Sequence, residues 1–144
     1  MALKVELKPG ERMILGDCVV QNGAQRTRLM IEGTVPILRE KDIITTAQAD
    51  TPAKRLYLAV QLMYTSRDPR SHHQIYFSLM RDLVQAAPTT WAHIEIINNH
   101  ILRGDLYKAL KQARQLIEYE QGILVHAQRG ASVPKGGKTD RDAA

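Results

Sequence analysis

The chain is predicted to be an α+β protein: a small five-stranded antiparallel β module over residues 1–45, a bundle of about four helices over 46–127, and a disordered tail over 128–144. Three observations predict it. Before residue 45, short apolar runs are separated by Gly, Asn and Pro. After residue 50, apolar residues recur at helical spacing. From about Gln128 onward large apolar residues almost vanish, so burial cannot offset the entropy of ordering the segment.

The first strand is marked by Leu3, Val5 and Leu7 alternating with Lys4, Glu6 and Lys8, the period of two that places one set inward and the other outward. Pro9-Gly10 ends it. Met13-Ile14-Leu15 is a second short strand, stopped by Gly16-Asp17, and Cys18-Val19-Val20 begins a third. Asn22-Gly23 is a turn signal, since both residues tolerate positive φ. Arg26, Arg28 and Met30 alternate with Thr27, Leu29 and Ile31 in a fourth strand, broken at Glu32-Gly33. Val35 to Leu38 is the fifth, and Pro36 restricts it to an edge or a strand start. Five short, closely spaced strands read as a small barrel or sandwich.

Thr51-Pro52 is a cap followed by a proline at the first helical position, and Leu56, Ala59, Val60 and Met63 then mark one helix face. Asp68-Pro69 repeats the start signal, with Ile75, Leu79 and Leu83 following until Pro88. A third helix is expected from about Thr90 to Leu102, with Gly104 as its stop. Asp105 can cap a fourth, whose stripe runs through Leu106, Ala109, Leu110, Ala113, Leu116, Ile117 and Leu124.

Of the 144 residues, 44% are hydrophobic and 24% charged, the balance of an ordinary globular chain. The formal net charge of +5 is spread out: residues 1–45 hold seven basic against six acidic side chains, 46–125 nine against seven, and 126–144 four against two. Bulk charge therefore permits an anionic partner without requiring one. The single cysteine, Cys18, excludes an intrachain disulfide, and no signal-peptide core or apolar run of roughly 20 residues is present. The expected location is the cytoplasm, with no membrane association.

Signatures of catalysis are missing. No glycine-rich loop opens a helix after a strand. Cys18 has no neighbouring histidine and reads as a buried or half-buried hydrophobe. His72, His73, His93, His100 and His126 lack metal-ligand spacing. Glu118 and Glu120 fall on different sides of their helix, and Glu11 and Asp17 lie near turns. The aromatics Tyr57, Tyr64, Tyr76, Phe77 and Trp91 suit core packing better than base stacking. No enzyme activity, cofactor or metal is expected.

The basic residues of the strands carry more information. Lys4 and Lys8 lie on the polar side of one strand, Arg26 and Arg28 on that of another, and Arg12, Arg39 and Lys41 belong to the same module. On a common face they form a stripe suited to phosphates. Paired with Glu6, Glu32, Glu40 and Asp42 they form an ordinary solvated surface.

Several blocks resemble the FlbT family. They are Leu7-Lys8-Pro9-Gly10-Glu11-Arg12 with Ile14-Leu15-Gly16-Asp17, then Pro36 to Asp42, Thr51 to Arg55, Tyr57 to Tyr64, Asn98 to Leu102 and Gly104 to Leu110. Together they span roughly residues 3–125, in order. The resemblance implies a post-transcriptional repressor of flagellum biogenesis that associates with the 5′ untranslated region of flagellin messenger RNA and promotes its degradation. It also implies a partnership with the flagellar regulator FlaF. Whether the outcome is repression or activation stays open.

Gly10 to Asp17 and Arg39-Glu40-Lys41 are also similar to the two ends of CsrA, a small β-stranded regulator of translation. That likeness implies RNA contacts from the first and last strands, with Arg39 at the place of the arginine that precedes an acidic residue, and Lys8 where the first CsrA strand is basic. CsrA has a further arginine where this chain has Leu7, so the likeness carries phosphate contact further than base reading. CsrA-like modules dimerise by exchanging strands, which makes a homo-oligomer one of the states open to this chain.

The expected RNA-binding residues are Lys4, Lys8, Arg12, Arg28, Arg39 and Lys41, with a single-stranded flagellin leader as partner. Arg39 and Lys8 are expected to contribute most. The rival expectation is a protein-interaction module whose helices bind flagellin, FlaF or an export component. The long apolar stripe of the fourth helix motivates it.

Overall fold

The computed structural model describes residues 2–132, with side-chain surroundings through residue 127. The α+β order is as predicted: strands β1 (Ala2–Leu7), β2 (Arg12–Leu15), β3 (Cys18–Gln21), β4 (Thr27–Glu32) and β5 (Ile37–Arg39), then helices α1 (Pro52–Thr65), α2 (His73–Ala86), α3 (Trp91–Arg103) and α4 (Leu106–Ser132). Helix α4 runs five residues into the segment 128–144 expected to be disordered, and residues 133–144 of that expectation lie outside the described residues.

The strands form two antiparallel sheets: a ribbon of β1 and β4, and a three-stranded sheet in the order β3-β2-β5. Val5, Leu7 and Met13 are buried between them, with Val20, Leu29, Ile31 and Ile37 packed around. This is a miniature sandwich, and the alternation of β1 holds for the inward Val5 and Leu7, whereas Leu3, expected on the same side, is 48% exposed at the outer end of the strand. The β2–β3 hairpin pairs Leu15 with Cys18 across the two-residue loop Gly16-Asp17, and Gly16 supplies the positive φ of 65° that such a loop demands. Asn22-Gly23 works differently from its expected role. It joins strands of separate sheets, and Gly23 is not among the positive-φ glycines. The Asn22 amide instead donates to the carbonyls of Leu7 (3.1 Å), Lys8 (2.9 Å) and Gln25 (2.8 Å), clasping the turn after β1. Cys18, expected to be buried or half-buried, is exposed at the start of β3, next to the hairpin loop Gly16-Asp17.

The helices enclose a second, larger core. Thr51 caps α1 through Oγ1, which accepts from the Lys54 amide at 3.3 Å, and Leu56, Ala59, Val60 and Met63 are all buried as their spacing predicts. Chain 69–72 is a 3₁₀ turn, so the α-helix begins later than the Asp68-Pro69 signal implies. The buried face of α2 centres on Tyr76 and Leu83, not on Ile75, which is 60% exposed. A spacing of four drifts around a helix of 3.6 residues per turn, so Ile75 and Leu83 cannot share the centre of one face. Helix α3 stops at Gly104, whose φ of 80° lets the Asp105 amide reach the His100 carbonyl at 2.9 Å. Along α4, Ala109, Leu110, Ala113 and Leu116 are buried, while Leu124 and Val125 are exposed. Most of the stripe that motivated the rival reading is therefore core. Among the described residues no helix is long and apolar enough to cross a membrane.

The two parts share their packing. Leu38 of β5 belongs to the helical core, with Ile14, Ile43 and Ile44 packed against it. Two α1 side chains act as surrogate strand neighbours. The Tyr64 hydroxyl accepts from the Ile37 amide (3.3 Å) and donates to its carbonyl (3.1 Å). The buried Gln61 amide does the same for Ile44, at 2.8 and 3.1 Å. These bonds satisfy backbone groups that the short edge would otherwise leave unpaired.

Candidate nucleic-acid interface

The end of β5 and the 3₁₀ turn Glu40–Asp42 lie where the sandwich meets the helices. A cleft of about 740 Å³ opens there, lined by the cations Lys8, Arg26, Arg39 and Lys41 and by Glu6, Glu11 and Glu40. Three of the six sequence-predicted residues, Lys8, Arg39 and Lys41, thus meet at one place although they are far apart in the chain. Arg26, named in the sequence but not among those six, meets them.

Glu11 organises the cleft. Its Oε1 accepts from the Lys8 amide at 2.8 Å and its Oε2 pairs with Arg39 Nη2 at 3.3 Å. The Lys8 backbone bond holds its carboxyl below the usual range; desolvation opposes it, and the Arg39 guanidinium adds to the lowering. Arg39 Nη2 also donates to the Glu6 carbonyl at 2.8 Å. Both contacts fall on Nη2, and the buried Nε finds no partner among the described residues. Arg39 is therefore aimed by the β module through its Nη2 contacts. Arg26 pairs with Glu6 at 3.5 Å, an exposed contact of little strength. Among the described residues neither Lys8 nor Lys41 is ion-paired.

The other three candidates stand apart from this cleft. Lys4 faces outward opposite Met30 on the β1–β4 ribbon and lines a smaller depression that reaches Arg39. Arg28 is exposed opposite Glu6 in the ribbon register. Arg12 is exposed on β2, its amide held by Glu40 Oε1 at 2.9 Å. The single basic face that alternation allowed is divided, because β1 and β4 lie in one sheet and β2 and β5 in the other.

A second cleft of about 830 Å³ adjoins the first, with Arg39 and Lys41 lining both. Its far wall is helical and was not foreseen from the sequence. Arg114 of α4 donates to Asp42 Oδ1 (2.8 Å), the Lys41 carbonyl (3.2 Å) and the Tyr57 hydroxyl oxygen (3.3 Å). Burial raises the Tyr57 pKa, so its hydroxyl stays protonated and donates to the Asp42 carbonyl at 2.6 Å. This network fixes the turn that presents Lys41. The signal available in the sequence was the exposed series Tyr107, Lys111, Arg114 and Glu118 on the polar side of α4. Of the aromatics weighed earlier, Tyr76 and Tyr57 are buried core residues, as expected. The described residues contain no group of three side chains able to hold a metal ion.

Comparison with known proteins is consistent in one direction. The family model described as flagellar protein FlbT matches residues 3–124. The chain is 57% identical over 143 residues to a Bradyrhizobium diazoefficiens protein named probable flagellum biosynthesis repressor protein FlbT 1, covering 99% of this chain and 96% of that one. It is 47% identical over 124 residues to a Rhodopseudomonas palustris protein named probable flagellum biosynthesis repressor protein FlbT, covering 86% and 98%. To the flagellum biosynthesis repressor protein FlbT of Caulobacter vibrioides it is 35% identical over 135 residues, covering 92% and 96%. No solved structure matches.

Proposed function

This chain belongs to the FlbT family, and from that premise we propose that it regulates flagellar gene expression by binding the single-stranded 5′ untranslated leader of flagellin messenger RNA. The relatives' names support the role of a repressor of flagellum biosynthesis. The observation that carries RNA as the ligand is the convergence of Lys8, Arg39 and Lys41 on one cleft, where two ammonium groups without an ion pair among the described residues accompany a guanidinium of fixed direction. Point charges beside an oriented fork suit a phosphate backbone. Unpaired leader RNA is preferred over duplex because its bases are open to contact. Turnover of the message falls to a recruited nuclease or to an altered leader structure. Lys4 extends the surface, while Arg12 and Arg28 contribute only to the general field.

The test is leader affinity measured across a salt series for the native protein and for Lys8→Ala, Arg39→Ala and Lys41→Ala. Each variant is expected to weaken binding and to reduce the slope of log K against log salt by about 0.7. Native affinity and slope in all three folded variants would refute the assignment. A second reading, helices that capture flagellin or FlaF, rests on the exposed Leu124 and Val125 near the end of α4. Partner capture by purified protein without RNA would favour it.

A further inference from the structure

Within the RNA-binding reading, on which this inference rests, we infer that the α4 wall of the second cleft is a nucleobase-stacking subsite that continues the RNA path beyond the β module. Arg39 and Lys41 line both clefts, so a strand whose phosphates reach them is carried directly to this wall. The wall combines what a sequence-tolerant single-strand groove requires: aromatic surfaces beside cations.

Tyr107 is 43% exposed, its ring backed by Tyr64 at a centroid distance of 5.6 Å. Lys111 holds its ammonium 5.1 Å from the centre of the Tyr107 ring. Lys111 is exposed and its stem has several rotatable bonds, so a base can take its place on the ring while the ammonium turns to the adjoining phosphate. Also lining the cleft, His93 and Tyr119 form a second aromatic pair with centroids 4.8 Å apart. Of the two acids on the wall, Asp42 is already neutralised by Arg114 at 2.8 Å, leaving Glu118. The balance around Tyr107 therefore favours an anionic ligand with flat faces. A single-stranded nucleic acid has that chemistry, and an acidic peptide supplies the charge without the bases.

The experiment uses the full chain and two labelled probes of equal length, a flagellin leader RNA and its abasic counterpart, followed by fluorescence anisotropy. Tyr107→Ala is expected to weaken leader binding about tenfold, with the salt slope unchanged and abasic binding unaffected. Tyr107→Phe keeps the ring and its packing on Tyr64 and should restore native affinity. Lys111→Ala should lower the slope by about 0.7 for both probes. Native behaviour of Tyr107→Ala and Lys111→Ala, with Lys8→Ala and Arg39→Ala still impaired, would confine RNA to the β cleft and overturn this inference alone. Failure of the native protein to bind either probe would overturn the RNA-binding reading as well. Loss of purified flagellin capture in the α4 variants, at unchanged RNA affinity, would make the wall a protein-docking surface and overturn the inference too.

Discussion

Glu11 sits between the Lys8 amide and the Arg39 guanidinium, and its position predicts a pH dependence. Its carboxyl titrates below its ordinary value of 4.5, so the charged form is favoured by folding. The resulting stabilisation is fully present above that value and is lost as pH falls through the lower, folded-state pKa. Glu11→Gln should therefore melt below the native protein at neutral pH, with the gap closing under acidic conditions. Thermal melts between about pH 3 and 7 check this. At this scale the candidate site was half legible. Alternation along β1 correctly placed Lys4 outward and Val5 inward. It could not tell that Arg28 faces Glu6 across the ribbon while Arg39 reaches Glu11, because alternation specifies a face and leaves the partner strand unspecified.

Elements were more legible than their partners. Thr51-Pro52, Gly104 and Gly16-Asp17 act locally, and each ends or begins an element where the sequence places it. Glu120 is different. It lies on α4 yet its Oε2 accepts from the Ala53 amide in the first turn of α1 at 2.9 Å, with only 6% of the residue exposed. A carboxylate there satisfies an orphan amide and complements the positive end of the helix dipole. Glu120→Ala is expected to destabilise the fold by about 1–3 kcal/mol, by leaving that amide buried and unpaired. Urea unfolding would show a lower midpoint with an unchanged slope. Glu118, two residues earlier, is exposed and should shift stability far less. No spacing rule links residue 120 to residue 53, so this cap was invisible before the helices were packed.

At the scale of the whole molecule, the β module and the helices are mutually dependent. Leu38 is 1% exposed inside the helical core, and the edge of β5 is closed by Tyr64. A fragment ending at residue 45 would lose both and keep only Val5, Leu7 and Met13 as its buried centre. Such a fragment is close to the size of about 40 residues below which a core needs cross-links, and with so small a centre it should remain unfolded by circular dichroism and amide dispersion. By itself the sequence determined the kind and order of the elements, because hydrophobic period, caps and turn residues act over a few neighbouring positions. It also determined that seven basic residues lie in or beside the strands. Only the tertiary structure decided that those strands divide between two sheets. It also gathered Lys8, Arg39 and Lys41 into one cleft and set Tyr107 and Lys111 along its continuation. These are outcomes of register and interlayer packing, which depend on contacts between residues distant in the chain.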